Sequence, residues 1–189
     1  MALDQETLNQ FIDSVRRYVR DRLVPLEMQV AEEDRIPEEV IDEMKEMGLF
    51  GLSIPEEFGG LGLTMSEEVA IIQEMGYTSP VFRSMFGTNV GIGSQGIVID
   101  GTPEQKAKYL PKLATGELIG SFALTEADAG SDAGSVMTSA RRDSDDYIIN
   151  GSKRFITNAP RAGVFTVMAR TGTREEGGRG VSAFLVDAT

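Results

Sequence analysis

The sequence predicts an α+β fold, with an all-α part over residues 1–120 followed by a β part over residues 121–189. Three observations carry this. Apolar residues recur at helical spacing through the first part, two capping signals open further helices there, and from about Leu118 the chain changes to short runs rich in β-branched and aromatic residues. Helical segments followed by strands, without alternation, argue against βαβ units.

Leu8, Phe11, Ile12, Val15, Val19 and Leu23 share one face at a period of about 3.6 residues, which predicts a helix that Pro25 breaks or restarts. After Pro37 the pattern returns in Val40, Ile41, Met44 and Met47, with Gly48 as a left-handed stop. These methionines read as core packing rather than a ligand face. Thr64-Met65-Ser66-Glu67 fits a capping box ahead of Val69, Ile72 and Met75, and Thr102-Pro103-Glu104-Gln105 is a second helix start with Pro at the first helical position. Between them, residues 80–100 are apolar and rich in small side chains, which fits a buried helix. Strands are predicted at Ile119–Leu124, Tyr147–Ile149, Arg154–Thr157, Val164–Ala169 and Val181–Val186. Asn150-Gly151 is a strong turn signal, and Gly172–Gly180 reads as a charged, flexible loop. There is no internal repeat.

Composition excludes several chemistries. With 41% hydrophobic residues in 189 the chain can bury a sizeable core. A net charge of −12, from 18 Lys+Arg against 30 Asp+Glu, argues against a nucleic-acid or anionic-membrane surface, and no basic cluster spans more than a few residues. With neither Cys nor His, the chain can build no disulfide, no thiolate or imidazole metal site and no histidine acid/base. Chemistry must then use carboxylates, hydroxyls, backbone amides or a bound cofactor. The opening Met1-Ala2-Leu3-Asp4-Gln5-Glu6 lacks the basic and apolar regions of a leader, and no apolar run approaches the ~18 residues of a membrane span. A cytoplasmic protein is expected.

Gly91-Ile92-Gly93-Ser94-Gln95-Gly96 matches the G-x-G-x-x-G pattern of dinucleotide-binding turns, with Glu117 near the spacing of a ribose-binding acid. Its context fails: no strand precedes it, and Gly101 and Pro103 interrupt the segment after it, so close helix packing is the better reading. Phe122 to Gly134 is a strand running into a loop of small and hydroxyl residues, either a solvated turn or a loop whose amides approach a polar ligand, with Thr125 and Ser131 as orientable donors. Asn150 to Asn158 is a turn followed by a short strand, on which period-two alternation would put Phe155 and Thr157 on one face. One could cover an aromatic ring while the other bonds its polar edge; equally, Phe155 could be core, with Lys153 and Arg154 solvated.

Together these segments resemble the acyl-CoA dehydrogenase family. Ile54-Pro55-Glu56-Glu57-Phe58-Gly59-Gly60-Leu61-Gly62 is similar to the family's helix-linking segment, and Tyr109 to Glu117 to the lead into its flavin loop. Phe122 to Ser131 resembles the first flavin signature and Phe155-Ile156-Thr157-Asn158 the second. The resemblance implies an N-terminal all-α domain (1–120), a truncated middle β-barrel domain (121–189) and a C-terminal helical domain that is absent. It also implies FAD held by Phe122, Ala123, Leu124, Thr125, Ser131, Phe155, Ile156 and Thr157, with no metal. Thr125 and neighbouring amides would serve the pyrimidine side of the flavin, Thr157 the N5 edge, and Ser131 also the acyl-CoA. Two departures stand out: Ala127 and Asp128 replace the usual Pro-Gly, and Phe155 replaces a Trp, covering less ring surface.

Family members oxidise acyl-CoA to 2,3-enoyl-CoA, a glutamate taking the α proton while a hydride leaves Cβ for flavin N5. That base lies in the family's C-terminal domain. No catalytic residue is therefore assigned here, Glu126 is read as a loop-organising residue, and these 189 residues alone are expected to be inactive. The implied setting is fatty-acid metabolism, with an electron-transferring flavoprotein as oxidant and a homodimer or homotetramer as the assembly. The rival readings are an acyl-CoA oxidase or nitroalkane oxidase-like flavoenzyme, and a non-catalytic short homologue that binds an acyl-CoA or a partner.

Overall fold

The computed structural model describes residues 4–188, so Met1-Ala2-Leu3, part of the opening stretch that shows no leader pattern, lies outside it. The chain divides into two units, Met1–Ile119 and Gly120–Thr189.

In the first unit, α1 (Gln5–Tyr18) opens on Asp4, whose carboxylate accepts the Thr7 amide at 2.9 Å. Its predicted face is the buried one, carrying Leu8 and Val15, and continuing through Val19 and Leu23. Pro25 has no amide to donate to the preceding turn, and the chain passes it through a π-helical turn (Val19–Leu23) and a 3₁₀ turn (Val24–Leu26) before restarting as α2 (Glu27–Glu33). Helix α3 (Glu38–Glu46) buries Val40, Ile41 and Met44, and Gly48 follows it at φ 75°. The linker from Ile54 to Gly62 folds back on itself so closely that a Cβ on Gly60 would lie 2.0 Å from the Ile54 carbonyl oxygen, which only glycine tolerates.

The predicted capping box and the second predicted helix start both form complete capping boxes. Glu67 accepts the Thr64 amide at 2.7 Å ahead of α4 (Met65–Met75), and Gln105 accepts the Thr102 amide at 2.9 Å ahead of α7 (Pro103–Thr115). Residues 80–100 form two helices rather than one: α5 (Pro80–Val90) and α6 (Gln95–Asp100), separated at Gly91 to Ser94. The G-x-G-x-x-G glycines thus come after a helix, not a strand, and Glu117 pairs with Lys112 at 3.2 Å.

Phe50, Phe82 and Phe86 are fully buried in the core of this unit, with Phe50 and Phe86 edge-on at 6.2 Å between ring centroids. Asn89, also fully buried, donates its amide to the carbonyls of Leu113 (2.9 Å) and Leu118 (2.8 Å), tying α5 to the end of α7 and the segment after it.

The second unit is a mixed sheet of β1 (Gly120–Ala123), β2 (Ser139–Asp143), β3 (Asp146–Asn150), β4 (Val164–Arg170) and β5 (Val181–Asp187). Strand β4 is central: β1 runs parallel to it with Gly120 opposite Val164, β5 antiparallel with Val164 opposite Asp187, and β2 joins it in parallel through Ser139 and Arg170. The hairpin of β2 and β3 completes the order β1-β4-β2-β3. The resemblance implied a barrel; among the described residues the sheet is open, with β3 and β5 each paired on one side only.

Four local readings are corrected. Strand β2 was not foreseen because Ser-Ala-Arg-Arg-Asp buries only Ala140 and carries no alternation signal. The hairpin turns at Ser144 (φ 58°) and Asp145, not at Asn150-Gly151. Gly151 instead lies against Thr138, whose Oγ1 would be 2.3 Å from an added Cβ. Arg154–Thr157 is not a strand. The Gly172–Gly180 stretch, read as flexible, is folded around Arg170, whose guanidinium donates to the carbonyls of Gly134 (2.5 Å), Val136 (2.9 Å), Thr173 (2.9 Å) and Gly177 (3.1 Å).

Replacing Asn89 with Ala strands two buried carbonyls and is expected to cost about 3 kcal/mol in urea unfolding; a loss below about 1 kcal/mol would show that they find other partners.

Candidate functional site

Two segments distant in sequence, Leu124 to Ser131 after β1 and Gly151 to Asn158 after β3, are joined by a short set of bonds. The buried Ser121 hydroxyl, on β1, donates to the Thr157 carbonyl at 2.5 Å, and the Arg154 amide donates to the Thr125 carbonyl at 2.8 Å. The Lys153 ammonium donates to the Leu124 carbonyl at 2.9 Å and to Glu126 Oε1 at 2.8 Å. Glu126 in turn accepts the amides of Met137 (2.6 Å) and Thr138 (2.9 Å), while its own amide closes a turn on the Ala129 carbonyl at 2.8 Å. The Lys153 and Glu126 side chains are only 12% and 7% exposed.

Burial works to raise the Glu126 carboxyl, but the Lys153 ammonium and the amides of Met137 and Thr138 outweigh it and hold the group down at about 2. Lys153, expected to be solvated, is half-buried and paired. Neither Lys153 nor Ser121 stood out from spacing; their roles come from where the chain folds back.

The predicted site residues fall into two sets. Thr125 is tied through its carbonyl to the amide of Arg154, next to Phe155, and Thr157 is tied through its carbonyl to Ser121 on β1. Phe122, Leu124 and Ile156 are half-buried beside them, and Ala123 is buried in β1. Ser131 stands apart on an exposed part of the loop, with no hydrogen bond to the others among the described residues. Phe155 and Thr157 do not share a pleated face, because Phe155 has a left-handed backbone (φ 56°) that reverses the chain, followed by Asn158 at φ 62°. The Phe155 ring is 83% exposed, with the Arg154 guanidinium carbon 5.1 Å from its centroid. A pocket of about 240 Å³ is lined by Glu126, Asp128, Thr138, Gly151, Ser152 and Arg154, among others, but not by Thr125, Phe155 or Thr157.

Among the described residues, the hydroxyls of Thr125, Ser131 and Thr157 make no internal hydrogen bond, and no group of three or more acidic side chains is placed to hold a metal ion. Neutral donors around an exposed aromatic ring fit a flat heteroaromatic group with a polar edge.

The acyl-CoA dehydrogenase N-terminal domain model matches residues 5–117, and the model of that family's middle domain matches residues 121–189. The chain belongs to the acyl-CoA dehydrogenase family. The (2S)-methylsuccinyl-CoA dehydrogenase of Cereibacter sphaeroides is 39% identical over 189 residues, covering 98% of this chain and 34% of that protein. The acryloyl-CoA reductase (NADH) of Anaerotignum propionicum is 39% identical over 189 residues, covering 99% of this chain and 47% of that one. An acyl-CoA dehydrogenase from Bacillus anthracis, solved in complex with FAD, superposes with a TM-score of 0.83 at 34% identity, over 99% of this chain and 32% of that one. The chain thus spans less than half the length of these relatives. Among the described residues, no helix is long and apolar enough to cross a membrane.

Because the folded Glu126 carboxyl lies at about 2, below its ordinary 4.5, its contribution to stability is complete above the ordinary value and is lost as pH falls from 4.5 towards 2. The stability difference between wild type and Glu126→Gln is expected to be constant at neutral pH and to shrink across that window. Urea unfolding over the range checks this; a difference independent of pH would refute the lowered value.

Proposed function

We propose that this chain forms the FAD-binding part of an oxidoreductase acting on the Cα–Cβ bond of acyl-CoA thioesters. The observation that carries the reading is the bonding between two segments that each resemble a flavin signature, which leaves the hydroxyls of Thr125 and Thr157 without a partner among the described residues and the Phe155 ring exposed. FAD, when bound, would supply the two-electron partner for the thioester. The Thr125 hydroxyl and neighbouring amides would bond the pyrimidine edge of the flavin, Thr157 the N5 edge, and Phe155 would cover the ring, excluding water from one face. Phe122, Ala123, Leu124 and Ile156 would form the wall behind these contacts, and Ser131 would hydrogen-bond the cofactor and the acyl-CoA.

Glu126 is not the α-proton acceptor. A carboxylate bonded to an ammonium and two amides, with its pKa held at about 2, is too weak a base at neutral pH. We assign that role to the additional length that the relatives possess, so the 189 residues alone should not turn over acyl-CoA. The proposed direction is dehydrogenation, with an electron-transferring flavoprotein as acceptor, in fatty-acid metabolism, by a homodimer or homotetramer.

The deciding experiment purifies the gene product from its own host. Bound FAD that is bleached anaerobically by an acyl-CoA supports the reading, and a colourless protein unchanged by added FAD overturns it. In that protein Thr157→Val is expected to keep the fold, shift flavin absorbance and slow flavin reduction; an unchanged spectrum and rate would remove Thr157 from the flavin. Ser131→Ala is expected to weaken binding of a non-reactive acyl-CoA analogue by about 1 kcal/mol while FAD is retained, and equal affinity would refute that contact.

A further inference from the structure

Three consecutive residues of the loop after β1 are gripped from the second segment. Lys153 takes the Leu124 carbonyl (2.9 Å) and the Glu126 carboxylate (2.8 Å), and the Arg154 amide takes the Thr125 carbonyl between them (2.8 Å). The main chain of Thr125 is thus held on both sides while its hydroxyl has no partner among the described residues. On its far side, Glu126 is anchored by the amides of Met137 and Thr138, so the grip extends to the start of β2.

Directly after the gripping residues the backbone enters the left-handed region at Phe155 (φ 56°), a conformation that is costly for an aromatic side chain and that persists only where surroundings over-determine it. Its ring is not there to fill a core, being 83% exposed. A buried pair of apolar side chains would fill the same space with similar stability, but would impose no direction on the Leu124 carbonyl or on the amides of Met137 and Thr138.

We propose that Lys153, paired with Glu126, is a positioning residue that sets Thr125, Phe155 and Thr157 in register for one planar ligand. The proposal rests on the flavin reading above and names the residue that makes that site. Lys153 touches neither flavin nor substrate; it acts by fixing the Thr125 main chain and the entry of the chain into Phe155.

The test compares wild type, Lys153→Met and Lys153→Arg in the gene product purified from its host, stripped of FAD and titrated with FAD. Lys153→Met is expected to bind FAD about tenfold more weakly, with shifted flavin absorption bands and an altered midpoint potential, and with the unfolding midpoint of the FAD-free protein little changed. Lys153→Arg, which keeps the charge and N–H donors, should recover part of the affinity and restore the bands. If Lys153→Met does not fold, Glu126→Gln decides in the same way, since it keeps the side-chain shape and removes the charge. Wild-type affinity, bands and potential in the variant would overturn the proposal. So would weaker binding that only tracks lost stability of the FAD-free protein, with bands and potential unchanged. A wild type that binds no FAD overturns the flavin reading itself, which separates the two failures.

Discussion

A carboxylate and an ammonium 2.8 Å apart, both almost removed from water, hold two loop segments of the β unit together. Taking each ion out of water costs several kcal/mol, on the order of what the pair regains by mutual attraction, so the contact is tolerable only because other groups complete it. They do. Two backbone amides reach the carboxylate, and a carbonyl takes a second ammonium proton. What this polar cluster adds over an apolar contact is direction, because each bond fixes the orientation of a particular peptide group. Phe155 can then occupy a left-handed backbone, and Thr125 and Thr157 can present hydroxyls that no described residue uses.

The helical unit is held by different means. Its ion pairs, such as Arg22 with Glu43 at 3.0 Å and Lys45 with Asp42 at 2.8 Å, lie on partly exposed side chains, where attraction is screened and side-chain entropy offsets much of it. Stability comes instead from the buried faces of α1, α3, α4 and α5 around Phe50, Phe82 and Phe86. Polar specificity is confined to a few buried points, of which Asn89 is the clearest, because its one amide group satisfies two carbonyls at the close of α7. In the β unit Arg170 does similar work from β4, gathering four carbonyls from two loops with a guanidinium that has donors to match.

Chemically, the carboxylate closest to the flavin-like segments is the one least able to act as a base, since every feature that lowers its pKa also occupies its lone pairs. Structure and reactivity oppose each other at Glu126, and structure prevails. Under the proposed reaction the proton step is assigned to a group other than Glu126; the chain spans 34% and 47% of two relatives that match nearly all of it.

Local rules were enough for much of this molecule. The helical face of α1, both capping boxes, the stop at Gly48 and most strands could be read from neighbours within a few residues, because periodicity and caps are set by local geometry. The family's motifs were legible too, and with them the segments that form the site. The residues that assemble it were not. Lys153 and Glu126 meet only after the chain has passed through β2 and β3; β2 itself is a polar run whose strand geometry comes from pairing; and Arg154–Thr157 has strand-like composition but is bent by bonds to Thr125 and Ser121. By itself the sequence determined the two-part α+β organisation, the family and the absence of imidazole and thiol chemistry. Only the tertiary structure decided that the sheet is open among the described residues, that Lys153 is half-buried and paired with Glu126, and that Phe155 turns outward, because these depend on hydrogen bonds between residues far apart in the chain, which no local pattern encodes.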